Sequence, residues 1–450
     1  MTIPSDPLHI QSEAFEAGAK RGADYLRSLS SRNVHANTNK LGDLDFPLPD
    51  TGLSASDVLE LLDDAGRDAT VASAAGRYFG YVIGGALPAA SGARAMLSAW
   101  DQVADALTGP SVLKLEDVAI RWVVDLLNLP DETQGAFTSG ATMANMSLLV
   151  TARDVLLERQ GHARGLGLIG APPIRVVASK EIHATVLKSL RMAGLGTANI
   201  EYVDTDGQGR MRLDDVPTLD QRTLVIAQAG NVCTGAVDPI GEIARRSKEA
   251  GAWLHVDGAF GLWMRAGTET SRATKGIELA DSWVVDAHKT LNAPYDSGLA
   301  LCRHPDEFRA SMAIGASYLP ATDPSPADFA PEFSRSARGA ETWAALLSLG
   351  GSGVRDLVDR FHHHAIRISQ ELQDMGFLVP HEIHFNQVFA TLPEGGDRAA
   401  AIVQKIQTSG AAWFGAATWQ GHSGFRISVS NWSTSDDDID RLIRAIATAK

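Results

Sequence analysis

Two short stretches carry residue types that could do chemistry together. In Asp281 to Gly298, DSWVVDAHKTLNAPYDSG, the apolar run Trp283–Val284–Val285 reads as the end of a buried strand. Polar and turn-forming residues follow at once: Asp286, His288, Lys289, then Asn292, Pro294 and Ser297–Gly298. Lys289 therefore falls where a core strand gives way to a loop, the usual place for ligand chemistry in an α/β sheet. An amine kept partly out of water there is nucleophilic and suited to forming an imine with a carbonyl compound. In Ala252 to Gly261, AWLHVDGAFG, a second apolar strand closes on Asp257, with Gly258–Ala259 after it. A carboxylate ending a buried strand is costly unless a cation or donor meets it.

A strand-ending Asp257 followed 32 positions later by Lys289 resembles the pyridoxal-phosphate enzymes of the aspartate-aminotransferase fold, and HK followed by N-x-P-Y-D-x-G resembles the group II amino-acid decarboxylases. The resemblance implies an α/β protein of fold type I: a large domain with a mostly parallel seven-stranded sheet, a smaller C-terminal α/β domain and an N-terminal helical segment. The expected divisions are residues 1–85, 86–345 and 346–450. It implies pyridoxal 5'-phosphate as cofactor, held by Lys289 as a Schiff base, with Asp257 on the ring nitrogen and His288 on the phosphate. Ala259, just beyond Asp257, and Asp286 are further cofactor contacts. Asp286 stands where some members have Asn, and a carboxylate accepts hydrogen bonds but cannot donate them to an anion. Thr290 replaces the commoner Trp.

The elements that must position these residues are legible along the chain. An amphipathic helix is predicted over Ser12–Leu29, an extended linker over 33–52, and a helix capped by Ser54 or Ser56. Arg77 to Ala90, RYFGYVIGGALPAA, is aromatic and glycine-rich. It is similar to the family's FGxxxGGxxPA segment, which borders the substrate pocket, so Phe79, Tyr81 and Gly84 are expected there. Helices follow over Ser91–Leu107 and Leu113–Leu127. From Gly135 strand and helix signals alternate, the mark of βαβ units. Thr138–Ser139–Gly140 precede a helix, whose N-terminal amides and dipole make a phosphate seat. The family's SGG-S-E-AN segment puts Gly140, Ala141 and Thr142 on the cofactor phosphate, with Met143 departing from its Glu. Strands are predicted at Ile174–Ala178, Thr223–Ala227 and Leu299–Arg303. His183, opening a helix, matches the family histidine that lies flat on the cofactor ring. Gly230–Asn231–Val232 stands for the family's Gly-Thr-Thr, so a hydroxyl is missing at Val232 that Asn231 or Thr234 could replace. The C-terminal FRISVSNWST is similar to the family's ending, and Arg426 within it could clamp a carboxylate. Helices at Ala340–Leu349 and Val354–Asp374 lead into the small domain.

Composition bounds the function. A chain of 450 residues, 44% hydrophobic and 21% charged, is an ordinary soluble protein. A net charge of −14 disfavours nucleic acid and anionic membranes as partners. Two cysteines rule out a disulfide framework and suit a reducing cytosol. No signal peptide or membrane span is apparent, no metal-ligand cluster is expected, and the family's architecture implies a homodimer with shared active sites.

Three readings follow. The first is decarboxylation of an L-amino acid, with Phe79, Tyr81 and Trp100 leaning towards an aromatic side chain, through a Lys289 aldimine and a quinonoid intermediate. The second keeps the cofactor and changes the outcome: aldehyde synthase, aldolase or aminotransferase. The third is a non-enzymatic binding protein. The loop 316–337, with four prolines, reads as a lid or a disordered segment. Many group II decarboxylases use a loop tyrosine to reprotonate Cα, and Tyr318 at its leading edge is the candidate acid, with His183 as the other. A missing acid would leave the carbanion open to oxygen or an aldehyde.

Overall fold

The computed structural model describes residues 6–314, 325–393 and 395–450. Helix α1 (Pro7–Ser28) starts five residues before its predicted position because the Asp6 carboxylate caps it, accepting His9 N–H at 3.0 Å. None of its residues is buried. The linker that follows is extended apart from a 3-10 turn at Leu41–Leu44, and Ser54 caps α2 (Ala55–Gly66).

Helices α3 (Pro88–Trp100) and α4 (Pro110–Leu126) come next. The first is shorter than predicted because Asp101 takes a left-handed conformation (φ 50°) and ends it. Then β1 (Gln134–Thr138), α5 (Ala141–Glu158), β2 (Arg175–Ser179), α6 (Ala184–Met192), β3 (Ile200–Val203), β4 (Thr223–Gln228), α7 (Ile240–Ala250), β5 (Trp253–Asp257), β6 (Ser282–Asp286), β7 (Gly298–Cys302) and α8 (Pro305–Met312) build the large sheet and its helices. The strands form one seven-stranded sheet in the order β1-β7-β6-β5-β4-β2-β3. All neighbours are parallel except β7, which runs against both β1 and β6. Strands β5, β6 and β7 are buried at every residue, which is why they read as continuous apolar runs with no alternation.

The antiparallel β7 decides the geometry around the lysine. Thr138 and Asp286 both pair with Gly298, so the ends of β1 and β6 flank the start of β7. Helix α5 begins just beyond β1 and therefore points its N-terminus at the end of β6. The chain then continues into α9 (Gly339–Asp374), bent at Gly350 (φ 64°), where the sequence places a gap between two helices. Strands β8 (Gln387–Ala390), β9 (Gly415–Trp419) and β10 (His422–Ser428) form an antiparallel sheet in the order β8-β10-β9. Helix α10 (Gly396–Ser409) packs on that sheet, and α11 (Asp436–Ala449) packs against α10 and α9.

Candidate active site

The residues singled out for chemistry gather at the carboxyl ends of β4, β5 and β6, where open α/β sheets bind ligands. A cavity of about 410 Å³ opens there, bordered by Lys289, Asp257, His183, Ala259 and Tyr81. Strand β6 ends at Asp286, and the tight turn after it delivers Lys289 to the cavity with its side chain 21% exposed. The turn depends on Asn292, which sequence reasoning left without a role. Asn292 adopts φ 58° and its amide donates to Lys289 O, Thr290 O and Ser430 O at 3.0, 2.8 and 2.9 Å. Its Oδ1 accepts Trp432 N–H at 2.7 Å, so one side chain ties the lysine turn to the segment after β10.

Asp257 is buried, and among the described residues its carboxylate accepts one hydrogen bond, from Ala259 N–H at 3.2 Å. Burial pushes its carboxyl up from the usual range, while the charges of His183 and Lys289 pull the other way. Among the described residues it has no ion-pair partner, so it is an acid built for a cation that the chain itself does not supply. His183 caps α6: its Nδ1 accepts Thr185 N–H at 3.3 Å and lies 2.7 Å from Thr185 Oγ1. The ring faces the open cavity, yet protein crowds it, and this desolvation lowers its pKa against the pull of Asp257. The imidazole is therefore neutral near pH 7, with its proton on Nε2.

At the other end of the lysine turn, Ser297 N–H donates to His288 Nδ1 at 3.1 Å, and the Tyr295 ring stacks on His288 at 4.1 Å between centroids. Asp286 accepts Ala141 N–H at 2.7 Å and lies 3.1 Å from Lys289 Nζ. Gly298 lies against Gly140, since a Cβ on it would fall 2.5 Å from Gly140 Cα. This close backbone approach brings the start of α5, with Gly140, Ala141 and Thr142, up to His288 and Asp286.

The pocket-lining expectation needs correction. Phe79 is fully buried in the core, its N–H bonded to Trp413 O at 2.7 Å. At Gly84 a Cβ would strike Asn292 Nδ2 at 2.5 Å, so this glycine makes room for Asn292 and faces no cavity. Of the three expected residues Tyr81 does line the cavity, and Val82 lines it as well, both with positive φ (52° and 62°). Trp100 is not among the lining residues. Neither Asn231 nor Thr234 replaces the hydroxyl missing at Val232. Asn231 donates to Glu181 Oε2 at 2.6 Å and Thr234 to Gln208 O at 2.8 Å, whereas Val232 itself lines the cavity. Two further polar residues line the cavity, Gln228, which sequence reasoning left without a role, and Arg426, named above for a carboxylate. Gln228 pairs in register with Asp257, and Arg426 reaches in from β10, donating to Val232 O at 3.0 Å. Tyr318 lies outside the described residues, and Phe329 in the second half of the predicted lid is buried against Phe308.

An amine and a buried acid thus open onto one cavity, with the start of α5 at the base of the lysine turn, and comparison with known proteins gives the family. Residues 87–391 match the pyridoxal-dependent decarboxylase conserved domain. The chain belongs to that family and is a pyridoxal-phosphate-dependent carboxy-lyase acting on amino acids. It is similar to the acidic amino acid decarboxylase GADL1 of Mus musculus, 27% identical over 90% of this chain and 78% of the relative. It is also similar to the aromatic-L-amino-acid decarboxylase of Bacillus atrophaeus, 26% identical over 63% of this chain, a match that spans 58% of the relative's length. In fold it resembles the Oryza sativa TDC crystallised with PLP and tryptamine, with a TM-score of 0.89, 20% identity and coverage of 100% of this chain and 98% of that one.

Proposed function

We propose that this chain decarboxylates an L-amino acid with an aromatic side chain, using Lys289, Asp257 and His183 as the working groups. The observation that carries the reading is the Lys289 amine opening onto the same cavity as a buried carboxylate that lacks a cation. The residues fit pyridoxal phosphate: the amine suits its aldehyde, Asp257 its ring nitrogen, and the start of α5 with His288 its phosphate. When bound, that cofactor supplies a protonated conjugated ring that accepts the electron pair left on Cα as carbon dioxide departs.

Each residue then has a task set by its surroundings. Lys289 anchors the aldehyde and yields its place to the substrate amine. Asp257 holds the proton on the ring nitrogen, because its buried charge is relieved only by a cation beside it. His183, neutral through desolvation, covers the cavity without adding a charge that would compete with that proton. Arg426 offers its guanidinium to a substrate carboxylate. Tyr81, Val82 and Phe260 supply apolar and aromatic walls that suit an aromatic side chain. Two buried thiols and the absence, among the described residues, of a helix fit to cross a membrane support a cytosolic setting. A homodimer is supported by α1, which buries none of its residues and leaves Leu8, Ile10, Phe15 and Leu26 exposed.

The test is product analysis across a panel of amino acids, in air and under nitrogen. Equal amounts of amine and carbon dioxide in both atmospheres are expected, most rapidly from an aromatic substrate. Aldehyde, ammonia and peroxide in air would replace this reading by an aldehyde synthase. Reduction with borohydride should place the cofactor label on Lys289, and Lys289→Ala should abolish both label and turnover.

A further inference from the structure

The phosphate end of the site carries an acid of its own. Asp286 is 2% exposed, and its Oδ1 accepts the first amide of α5, Ala141 N–H, at 2.7 Å. Its Oδ2 lies 3.1 Å from Lys289 Nζ and 3.6 Å from His288 Nε2. Because Ser297 N–H occupies His288 Nδ1 at 3.1 Å, the neutral imidazole carries its proton on Nε2, the nitrogen turned towards Asp286. A helix N-terminus, an imidazole N–H and an amine thus converge on one carboxylate. The helix amide and the imidazole N–H are donors of the kind that a bound phosphate uses, while the amine is the one that takes the aldehyde. Buried as it is, the carboxylate cannot retreat into water when another anion arrives.

We propose that Asp286 is an internal anion competing with the cofactor phosphate for the α5 amide and the His288 N–H, so that this chain binds its cofactor weakly and reversibly. The inference rests on Lys289 being the cofactor lysine. Asp286 satisfies the α5 amide and pairs with Lys289. Cofactor entry sets a phosphate beside a buried carboxylate, and their repulsion opposes its retention. The competing explanation is that Asp286 only caps α5. Asparagine separates the two, because its Oδ1 keeps the bond from Ala141 N–H while its Nδ2 turns an acceptor into a donor.

The experiment titrates apoprotein, stripped with hydroxylamine and dialysed, with pyridoxal 5'-phosphate and with pyridoxal, which lacks the phosphate. The readout is the ratio of the two dissociation constants, in which any change in Lys289 itself cancels. In Asp286→Asn the preference for the phosphorylated form should rise about tenfold or more. Asp286→Ser, short and uncharged, should move the ratio the same way and carries the test if the asparagine variant does not fold. A ratio that is unchanged or lower overturns the proposal and leaves Asp286 as a cap. Borohydride labelling of the wild type is read separately: a label on a lysine other than Lys289 removes the reading beneath the inference, and the inference with it.

Discussion

Gly298→Ala tests whether the start of α5 is the cofactor's anchor. A Cβ at this position would fall 2.5 Å from Gly140 Cα, 2.6 Å from Gly140 C and 2.8 Å from Asp286 Oδ1. Carbon atoms in good contact sit about 3.5–4.0 Å apart, so the backbone of β7 and the start of α5 must separate by roughly 1 Å. No flexible side chain can yield instead, since two of the three obstructing atoms are backbone. Overpacking of this kind costs about 1–3 kcal/mol of stability, which a folded enzyme of this size tolerates. The functional loss should be larger, because a 1 Å misplacement of positioning groups can cost about 100-fold in rate. The assay pairs urea unfolding with cofactor titration and turnover. The expected outcome is a folded protein whose cofactor affinity falls at least about tenfold and whose turnover falls further. A folded Gly298→Ala variant with wild-type cofactor affinity would refute the assignment of the α5 N-terminus as the phosphate seat.

Other outcomes follow from the same geometry. Asp257→Asn should still take up cofactor but turn over roughly 100-fold or more slowly, since its charge no longer holds the ring proton; near-normal kcat counts decisively against the pairing. His255 is fully buried, bonded to Ser282 Oγ and Asn145 Oδ1 at 2.9 and 2.8 Å, and burial pushes it down to about 3. The unfolded chain takes up a proton near pH 6.5 and the folded one only near 3, so stability is lost as pH falls through that window. Asp238, pushed up to about 6, works in the opposite sense, so urea midpoints near pH 7.5 and about pH 5 should be compared between wild type and His255→Gln. The wild type should lose more on acidification; an equal loss removes His255 as the cause. Sedimentation should show a dimer of the 47.9 kDa chain, and a fully active monomer would sink the shared-site reading.

Much of the fold and the lysine's place were readable because the signals are local. Apolar runs such as Trp283–Val285 ending in acids or a lysine announce buried strand ends whatever the rest of the chain does. Glycine and hydroxyl residues before an apolar periodic stretch announce the start of α5 for the same reason. Helix ends were less legible: Asp101 stops α3 through a backbone conformation that propensity does not report. The pocket segment shows the same limit. Its motif was visible and Tyr81 borders the cavity, but Phe79 lies in the core and Gly84 packs on Asn292, placements set by the left-handed pair Tyr81–Val82 and by tertiary packing.

By itself, then, the sequence determined the family chemistry: an amine and an acid at neighbouring strand ends, with a helix start behind them. Only the tertiary structure decided which groups share partners. Arg426 reaches the cavity because β10 lies across the site, and Asn292 holds the lysine turn because Ser430 and Trp432 come back to it. The role of Asp286 is of this kind as well. An acid three residues before Lys289 is a local fact, but the convergence of Ala141, His288 and Lys289 on it requires the antiparallel β7 to bring β1 and β6 to one end of the sheet. Hydrogen bonds and charges act over a few ångströms in space, and chain separation carries almost no information about that distance.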